Sequence, residues 1–150
     1  TTKRRVSRMP IKKTEDGEQQ AVMEWAALMI NRWPALCMLY HVPNEAKRSK
    51  ATAARMARMG LRAGVPDLCL DAPAGKYHGL RIELKVEPNR PTEEQRRWLR
   101  NLRVSGYFAA VCYSAAAAEA LISDYLSLPE GHPLAWEKYI DQAVGYLVMK

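Results

Sequence analysis

The chain has 150 residues, of which 48% are hydrophobic and 26% charged. This composition is typical of one globular domain and argues against a disordered chain. The formal net charge of +7 favours an anionic partner, with nucleic acid ahead of an acidic membrane surface or an acidic protein, and no apolar run approaches the roughly 18 residues of a membrane span.

The N-terminal third begins with a basic segment. Residues 1–13 contain six lysines and arginines and little apolar periodicity, which predicts a flexible basic arm with no secretory signal. Asp16 stands three residues before Gln19, a capping-box spacing that predicts the start of a helix. Pro34 ends this helix, and the apolar run 36–41 predicts a short strand.

The middle of the chain predicts two neighbouring strands. Residues 46–62 indicate a basic helix or an ordered loop, followed by a strand over 67–71. A Pro-Ala-Gly turn at 73–75 leads to a second strand, 80–85, in which apolar and charged residues alternate. The charged residues of this strand should therefore share one face.

A second capping-box spacing follows these strands. Thr92 and Gln95 predict the start of a helix that continues to about Val104, and residues 107–113 predict another strand.

The last predicted elements are helical. Ser114 is a suitable cap for a helix over 116–126, and the amphipathic segment 134–148 predicts a final helix. The core order is therefore helix, strand, strand, strand, helix, strand, helix, which predicts a mixed α/β fold.

The cysteines and histidines do not suggest a zinc site or a disulfide framework. Cys37, Cys69 and Cys112 are widely spaced among apolar residues, and the three histidines are equally scattered. We expect buried, reduced thiols in a cytoplasmic protein.

The residues with the clearest chemical potential lie on the two middle strands. Asp67 begins the first strand, and Glu83 and Lys85 lie two residues apart on the second, so that their side chains share a face. If the turn pairs the strands, Asp67 and Glu83 approach each other and can bind Mg²⁺ or Mn²⁺. Lys85 can then orient a water or stabilise charge on a phosphodiester. The alternative is a solvent-facing Glu83–Lys85 ion pair of little energetic value.

Two further polar residues each allow two interpretations. Glu18 lies on the buried stripe of the first helix, so its carboxylate either joins a metal site or favours the positive N-terminus of the helix. Gln95 either completes its capping box or points toward the metal site.

Several segments together resemble a known family. "HVPNE" (41–45), "GVPDL" (64–68), "GLRIELK" (79–85) and "TEEQRRWLRNLRVSGY" (92–107) are similar to the VRR-NUC branch of the PD-(D/E)xK nucleases. The first of these segments resembles stand-alone, often phage-associated members, for which the host cytoplasm is the expected location. The resemblance runs from about Glu18 to Leu126.

The resemblance implies a restriction-endonuclease-like αβββαβ core with a central mixed sheet. It implies that Asp67 and Glu83 bind Mg²⁺ or Mn²⁺, that Lys85 is the catalytic lysine, that Glu18 is the first-helix acid at the metal, and that Gln95 is the glutamine on the following helix.

The predicted domain organisation is a flexible basic arm at 1–13, a nuclease domain at 14–128 and a helical extension at 129–150, of which the arm and the extension lie outside the resemblance. The implied activity is metal-dependent, structure-directed cleavage of branched DNA such as four-way junctions. An exonuclease or flap nuclease of the same fold, or a DNA-binding domain without catalysis, are the alternatives.

Basic residues on both sides of the site are candidates for phosphate contacts, although for any single arginine a solvated helix face is the favoured interpretation. They are Lys47, Arg48, Lys50, Arg55 and Arg58 before the site strands and Arg96, Arg97, Arg100 and Arg103 after them.

We also expect a homodimer, because a four-way junction is cut on two strands and the chain offers one site. The expected interface is an apolar stripe in the last predicted helix; packing of this stripe on the chain's own core is the alternative. Its members are Trp136, Tyr139, Ile140, Ala143, Val144 and Leu147.

Overall fold

The computed structural model describes residues 11–43, 49–135, 140–141 and 146–150, without the side chains of 140–141. The elements are α1 (Glu15–Met29), a 3₁₀ helix (Pro34–Met38), β1 (Leu39–His41), α2 (Lys50–Arg58), β2 (Leu68–Leu70), β3 (Leu80–Leu84), α3 (Glu93–Val104), β4 (Phe108–Cys112), α4 (Ala115–Leu126), β5 (Ile140–Asp141) and β6 (Tyr146–Met149). None of the described helices is long and apolar enough to cross a membrane.

The strands form one mixed sheet in the order β1-β2-β3-β4-β6-β5. The β1–β2, β2–β3 and β5–β6 pairs are antiparallel, whereas β3–β4 and β4–β6 are parallel. Because parallel neighbours need a crossover connection, α3 joins β3 to β4. The predicted mixed α/β fold is confirmed.

Helices cover the sheet on both faces, and the alternating residues of β3 contribute to both layers. Its apolar residues enter the larger core, which β3 shares with α1 and α4. Its charged residues lie on the opposite face, where a smaller cluster contains Leu99 of α3. The larger core includes Val22, Leu80, Ile82, Leu84, Leu121, Ile122 and Tyr125.

The helix starts agree with two of the three predicted caps. The capping box of Thr92 and Gln95 is complete, and Ser114 caps α4. The predicted start of α1 at Asp16 is wrong, because Thr14 has the extended backbone of a cap and its hydroxyl accepts a hydrogen bond from the Gly17 N–H at 3.1 Å. Asp16 instead lies in the first turn, where the helix dipole favours a negative charge.

The predicted strand at 36–41 is shorter than expected. Residues 34–38 form the 3₁₀ helix, which Pro34 begins, and only Leu39–His41 are extended. A proline at the first position of a helix has a backbone angle that suits the helix and loses no intrahelical hydrogen bond.

The predicted helix at 134–148, and with it the helical extension of 129–150, is wrong for the residues that the structure describes. Ile140–Asp141 and Tyr146–Met149 are strands, and Val148 pairs with Val111 of β4. Residues 146–148 are all buried, so the strand is a continuous apolar run that sequence periodicity does not distinguish from a helix.

The predicted dimer stripe falls largely outside the described side chains. Leu147 belongs to the larger core, which agrees with the alternative interpretation at that position. Of the other members of the stripe, Ile140 is described only by its backbone in β5, and the rest lie outside what the structure describes, as do Lys47, Arg48 and most of the N-terminal arm.

Candidate active site

The antiparallel β2–β3 pair brings the predicted carboxylates together. Leu68 pairs with Ile82, so continuing the register by one residue places Asp67 opposite Glu83 on the same face of the sheet. The Asp67 Oδ2 atom accepts a hydrogen bond from the Leu84 N–H at 2.8 Å, which fixes the carboxylate across the strands. Asp67 is 8% exposed and Glu83 is fully buried.

Lys85 joins this pair below the surface. Its Nζ atom lies 3.1 Å from Glu83 Oε1, and the two side chains are 7% and 1% exposed. The interpretation of Glu83 and Lys85 as a solvent-facing ion pair is therefore wrong: α3 covers this face of β3. Burying a charge pair is costly unless further polar contacts satisfy it, so a pair of this kind marks a candidate functional site.

The ammonium of Lys85 stays charged despite its burial. Burial lowers the pKa of this group, but the carboxylates of Glu83, Glu15 and Asp67 together raise it by more, and the net pKa of Lys85 lies above its ordinary value. At neutral pH Lys85 is thus a fixed positive charge that donates hydrogen bonds.

Gln95 completes its capping box and also contacts a carboxylate of the candidate site. Its Oε1 atom accepts from the Thr92 N–H at 2.8 Å, which completes the capping box of α3. Its Nε2 atom donates to Glu83 Oε1 at 2.6 Å. The same side chain therefore fixes the start of α3 and orients a carboxylate of the site.

Glu18 takes a different position from Asp67 and Glu83. Its Oε2 atom accepts a hydrogen bond from the Ala115 N–H at 2.7 Å, at the first turn of α4, and its Oε1 atom lies 3.9 Å from Lys13 Nζ. Of the two interpretations of Glu18, the structure therefore resembles the second, in which the carboxylate interacts with the N-terminus of a helix. The helix is α4, however, and not α1, to which Glu18 belongs.

Glu15 is the acid that sequence reasoning missed. It is the first residue of α1, and its Oε1 atom lies 3.8 Å from Lys85 Nζ. The Asn89 Nδ2 atom donates to the same oxygen at 3.1 Å. Glu15 precedes Glu18 by about one helical turn, so the helical period that singled out Glu18 also pointed to this position.

The carboxylates suit a hard divalent cation that keeps part of its water. Among the described residues, no group of three or more His, Cys, Asp and Glu side chains is arranged to hold a metal. Mg²⁺, however, is commonly bound through one or two carboxylates together with waters and substrate phosphates. Asp67 and Glu83, adjacent and acting through oxygen, fit that pattern.

The basic residues that precede and follow the site strands in the chain differ in availability. Helix α2 carries Lys50, Arg55 and Arg58, has no acidic residue and buries none of its side chains. On α3, by contrast, Arg96 and Arg100 both bind Glu93, at 2.7 Å and 3.1 Å. The cations of α2 are therefore the more available for an anionic partner.

Comparisons with known proteins agree with this geometry. The VRR-NUC domain family matches residues 12–116. A solved structure described as a "VRR_NUC domain protein" is 33% identical to this chain, covers 80% of it and 95% of its own length, and superimposes with a TM-score of 0.67. No curated protein matches the chain. The family match includes Asp67, Glu83, Lys85 and Gln95.

Proposed function

The chain belongs to the VRR-NUC domain family of nucleases, and on that premise we propose that it is a divalent-metal-dependent endonuclease that hydrolyses phosphodiester bonds in branched DNA. The observation that supports the proposal best is the buried group of Asp67, Glu83 and Lys85 on one face of β2 and β3. Carboxylates and a lysine in this arrangement suit cleavage of a phosphodiester.

In this proposal each polar residue has a defined task. Asp67 and Glu83 would hold Mg²⁺ or Mn²⁺, which when bound supplies Lewis-acid charge at the scissile phosphate. Lys85 donates hydrogen bonds toward negative charge that develops on the phosphate, and it is already positioned, so little reorganisation is required. Gln95 keeps the Glu83 carboxylate oriented through the 2.6 Å hydrogen bond. A metal-binding carboxylate is held in its binding orientation by partners of this kind.

The basic surface supports DNA as the substrate. The net charge of +7 and the all-basic charged residues of α2 favour phosphate contacts, with Lys50, Arg55 and Arg58 as the proposed contacts. The proposed preference for branched DNA comes from the resemblance to stand-alone members of the family. Arg96 and Arg100 have a smaller proposed share, because each is engaged with Glu93.

A cleavage panel tests the proposal directly. Single-stranded, duplex, flap, fork and four-way DNA are incubated with the protein in Mg²⁺, in Mn²⁺ and in EDTA. We expect metal-dependent cleavage that is fastest on the four-way junction and absent in Lys85→Ala. The matched control is Lys76→Ala, which removes an exposed lysine that contacts the Tyr77 ring outside the site.

The outcomes of this panel separate the alternatives. Preferential cleavage of flaps or of free ends would replace the junction preference by a flap nuclease or an exonuclease. Tight DNA binding without cleavage in either metal would contradict a catalytic function.

We also propose that the protein acts as a homodimer, because paired strands of a junction must be cut and a two-fold axis would supply a second site. Light scattering at micromolar concentration measures the mass in solution. A monomer that cuts both strands of one junction in a concerted manner would contradict the dimer.

The location of the protein in the cytoplasm stays a prediction.

A further inference from the structure

Helix α2 presents an apolar groove on one of its faces. Thr52, Arg55, Met56 and Met59 recur at helical spacing and therefore share a face of the helix. Leu61, which follows the helix, completes the groove, and these five residues line a volume of about 340 Å³. Sites for small ligands commonly have volumes of roughly 300–1,000 Å³. The groove of α2 is therefore large enough to hold part of a ligand.

The way in which α2 ends explains why these side chains meet. Gly60 has a positive φ of 103°, and the Leu61 N–H donates to the carbonyl of Met56, five residues earlier, at 2.9 Å. A helix that ends in this way brings the residue after the glycine back against the last turn. Leu61 and Met56 are accordingly half-buried, whereas Met59 is 74% exposed.

The core does not use this face of α2. Among the described residues, none of those on α2 is buried, and none belongs to either apolar cluster of the core. A single exposed apolar residue is ordinary on a protein surface, but an apolar groove outside the core indicates a binding surface.

The charge of α2 indicates which kind of partner covers the groove. Its charged residues, Lys50, Arg55 and Arg58, are all basic, and the whole chain has a net charge of +7. In a two-fold contact with a second copy of the chain, this helix would lie beside its own copy, and like charges would approach each other. An anionic partner is therefore favoured, and the nuclease family of the chain makes DNA the first choice.

DNA matches both properties of this surface. Its phosphates are negatively charged, and the faces of its bases pack against apolar side chains such as methionine and leucine. In a continuous duplex those faces are stacked on one another, and a side chain reaches them only by separating two base pairs, which is costly. At a branch point the stack is interrupted, so base faces become accessible.

Contacts with α3 fix the chain segment between the groove and the site. The Trp98 indole N–H donates to the Ala63 carbonyl at 3.0 Å. Gly64 approaches α3 so closely that a Cβ there would lie 2.6 Å from the Glu94 carbonyl carbon, which is shorter than real Cβ contacts. This segment is thus held against the first turns of the helix that carries Gln95.

The groove also lies within a few nucleotides' length of the site. Leu61 precedes Asp67 by six residues, and a fully extended chain of that length spans at most about 22 Å. Because successive nucleotides of one strand are about 3.4 Å apart along a duplex, this span corresponds to at most roughly six nucleotides. A base in the groove and a phosphate at the site can therefore belong to the same branched molecule.

We propose that the groove of α2 binds base faces exposed at the branch point of the DNA substrate, while the basic residues of the same helix contact the adjacent phosphates. This proposal rests on the proposed nuclease function and assigns to α2 the discrimination between branched and continuous DNA. Charge alone does not provide that discrimination, because both kinds of DNA carry the same phosphates. The groove supplies a contact that a continuous duplex lacks.

The test replaces Met59, the exposed methionine of the groove, by glutamine. Met59→Gln removes apolar contact without a change in charge, and glutamine is about as favourable in a helix as methionine. The matched control is Leu28→Gln, a similar change at a side chain of α1 that is 83% exposed and lies outside the groove. Met59→Leu keeps an apolar side chain and is the rescue variant. Thermal unfolding of each variant checks that the fold is intact.

The first readout is DNA binding in EDTA, which does not depend on cleavage. Fluorescence anisotropy measures Kd for a four-way junction and for a duplex of the same length. We expect Met59→Gln to lower the ratio of junction affinity to duplex affinity by about 10-fold, or about 1.4 kcal/mol, the size expected for burying much of one methionine side chain. Leu28→Gln and Met59→Leu should keep the wild-type ratio. The log–log salt dependence should be unchanged in Met59→Gln, because no phosphate contact is lost.

The second readout reports on the branch point itself. 2-Aminopurine, a fluorescent base whose emission depends on stacking, is placed at the branch point or, as a control, in the middle of an arm. We expect wild-type protein to change the emission at the branch point only, and Met59→Gln to change it less. Mapping of the cleaved ends should place the cut within roughly six nucleotides of the branch point.

Different results overturn the proposal and the function on which it rests. Wild-type protein that neither binds nor cleaves DNA would refute the nuclease function. Wild-type cleavage and junction preference, with an unchanged affinity ratio in Met59→Gln, would refute the role of the groove alone. Dissociation of a dimer in Met59→Gln, measured by light scattering, would assign the groove to a second copy of the chain. Loss of binding to phosphatidylserine vesicles in that variant, with DNA binding unchanged, would assign the groove to a membrane surface, and either result would overturn the proposal.

Discussion

Replacing Gln95 by Glu would separate its two structural roles. The variant keeps an oxygen to accept from the Thr92 N–H, and glutamate is as suitable as glutamine at this position of a capping box. It loses the Nε2 donor that lies 2.6 Å from Glu83 Oε1 and presents a carboxylate there instead. The substitution therefore spares the helix start and perturbs only the site.

The structure sets the size of the effect. A hydrogen bond to a charged group stabilises a protein by about 1.5–3 kcal/mol, and like charges in a buried site repel each other. We expect the free energy of unfolding in EDTA to fall by about 2–3 kcal/mol, relative to wild type. For a chain of this size that corresponds to a fall in Tm of roughly 4–12 °C.

Mg²⁺ should reverse part of this destabilisation if the carboxylates hold a metal. A cation next to the two wild-type carboxylates and the introduced one neutralises part of their repulsion, so the rise in Tm on adding Mg²⁺ should be larger in Gln95→Glu than in the wild type.

The assay is urea and thermal unfolding in EDTA and in Mg²⁺, with Gln20→Glu as the control. Gln20 is exposed on α1, so the same chemical change there should alter stability by less than about 0.5 kcal/mol. If Gln95→Glu had the stability of the wild type in EDTA, the buried contact between Gln95 and Glu83 would not stabilise the fold. If Mg²⁺ raised Tm equally in both proteins, metal binding beside Glu83 would be refuted.

Three further predictions follow from the site, the surface and the core. Asp67→Ala and Glu83→Ala should abolish Mg²⁺-dependent cleavage while DNA binding in a filter or anisotropy assay stays equal or becomes tighter; wild-type cleavage by either variant would refute that residue's assignment. Arg55→Gln with Arg58→Gln should reduce the log–log salt dependence of DNA affinity by about 0.9 for each phosphate that the variant no longer binds, and an unchanged slope would exclude α2 from the interface. In native protein at pH 8 only the exposed thiol, Cys37, should react rapidly with a thiol reagent, because the other two are buried and burial raises their pKa; rapid reaction of all three would contradict the described core.

The sequence alone predicted most of the element order and the residues that meet at the candidate site. The strict alternation along 80–85 predicted which residues of β3 face the apolar core, because side chains of a strand alternate between two faces whatever the tertiary context. The caps Thr92 and Ser114 were predictable for a similar reason: the hydroxyl acts on backbone groups three residues away. The order of Asp67, Glu83 and Lys85 in their strand contexts was enough to suggest the family.

Predictions from local patterns failed where the same residues fit two structures equally well. Residues 146–149 form a strand buried beside β4, and a short apolar run of this kind has no period that distinguishes a strand from a helix. The start of α1 was misplaced by two residues because Thr14 and Asp16 are both good cap residues, and the choice depends on which backbone becomes extended.

The tertiary structure decided which side chains meet across elements. Glu15 and Glu18 lie on similar sides of α1, yet one reaches Lys85 and the other reaches the backbone of Ala115. Gln95 serves the cap and the site together because α3 packs across the face of β3 that carries Glu83. Such contacts depend on how the elements pack in three dimensions. Residues that meet in this way have no characteristic separation in the sequence, so a sequence pattern does not predict them.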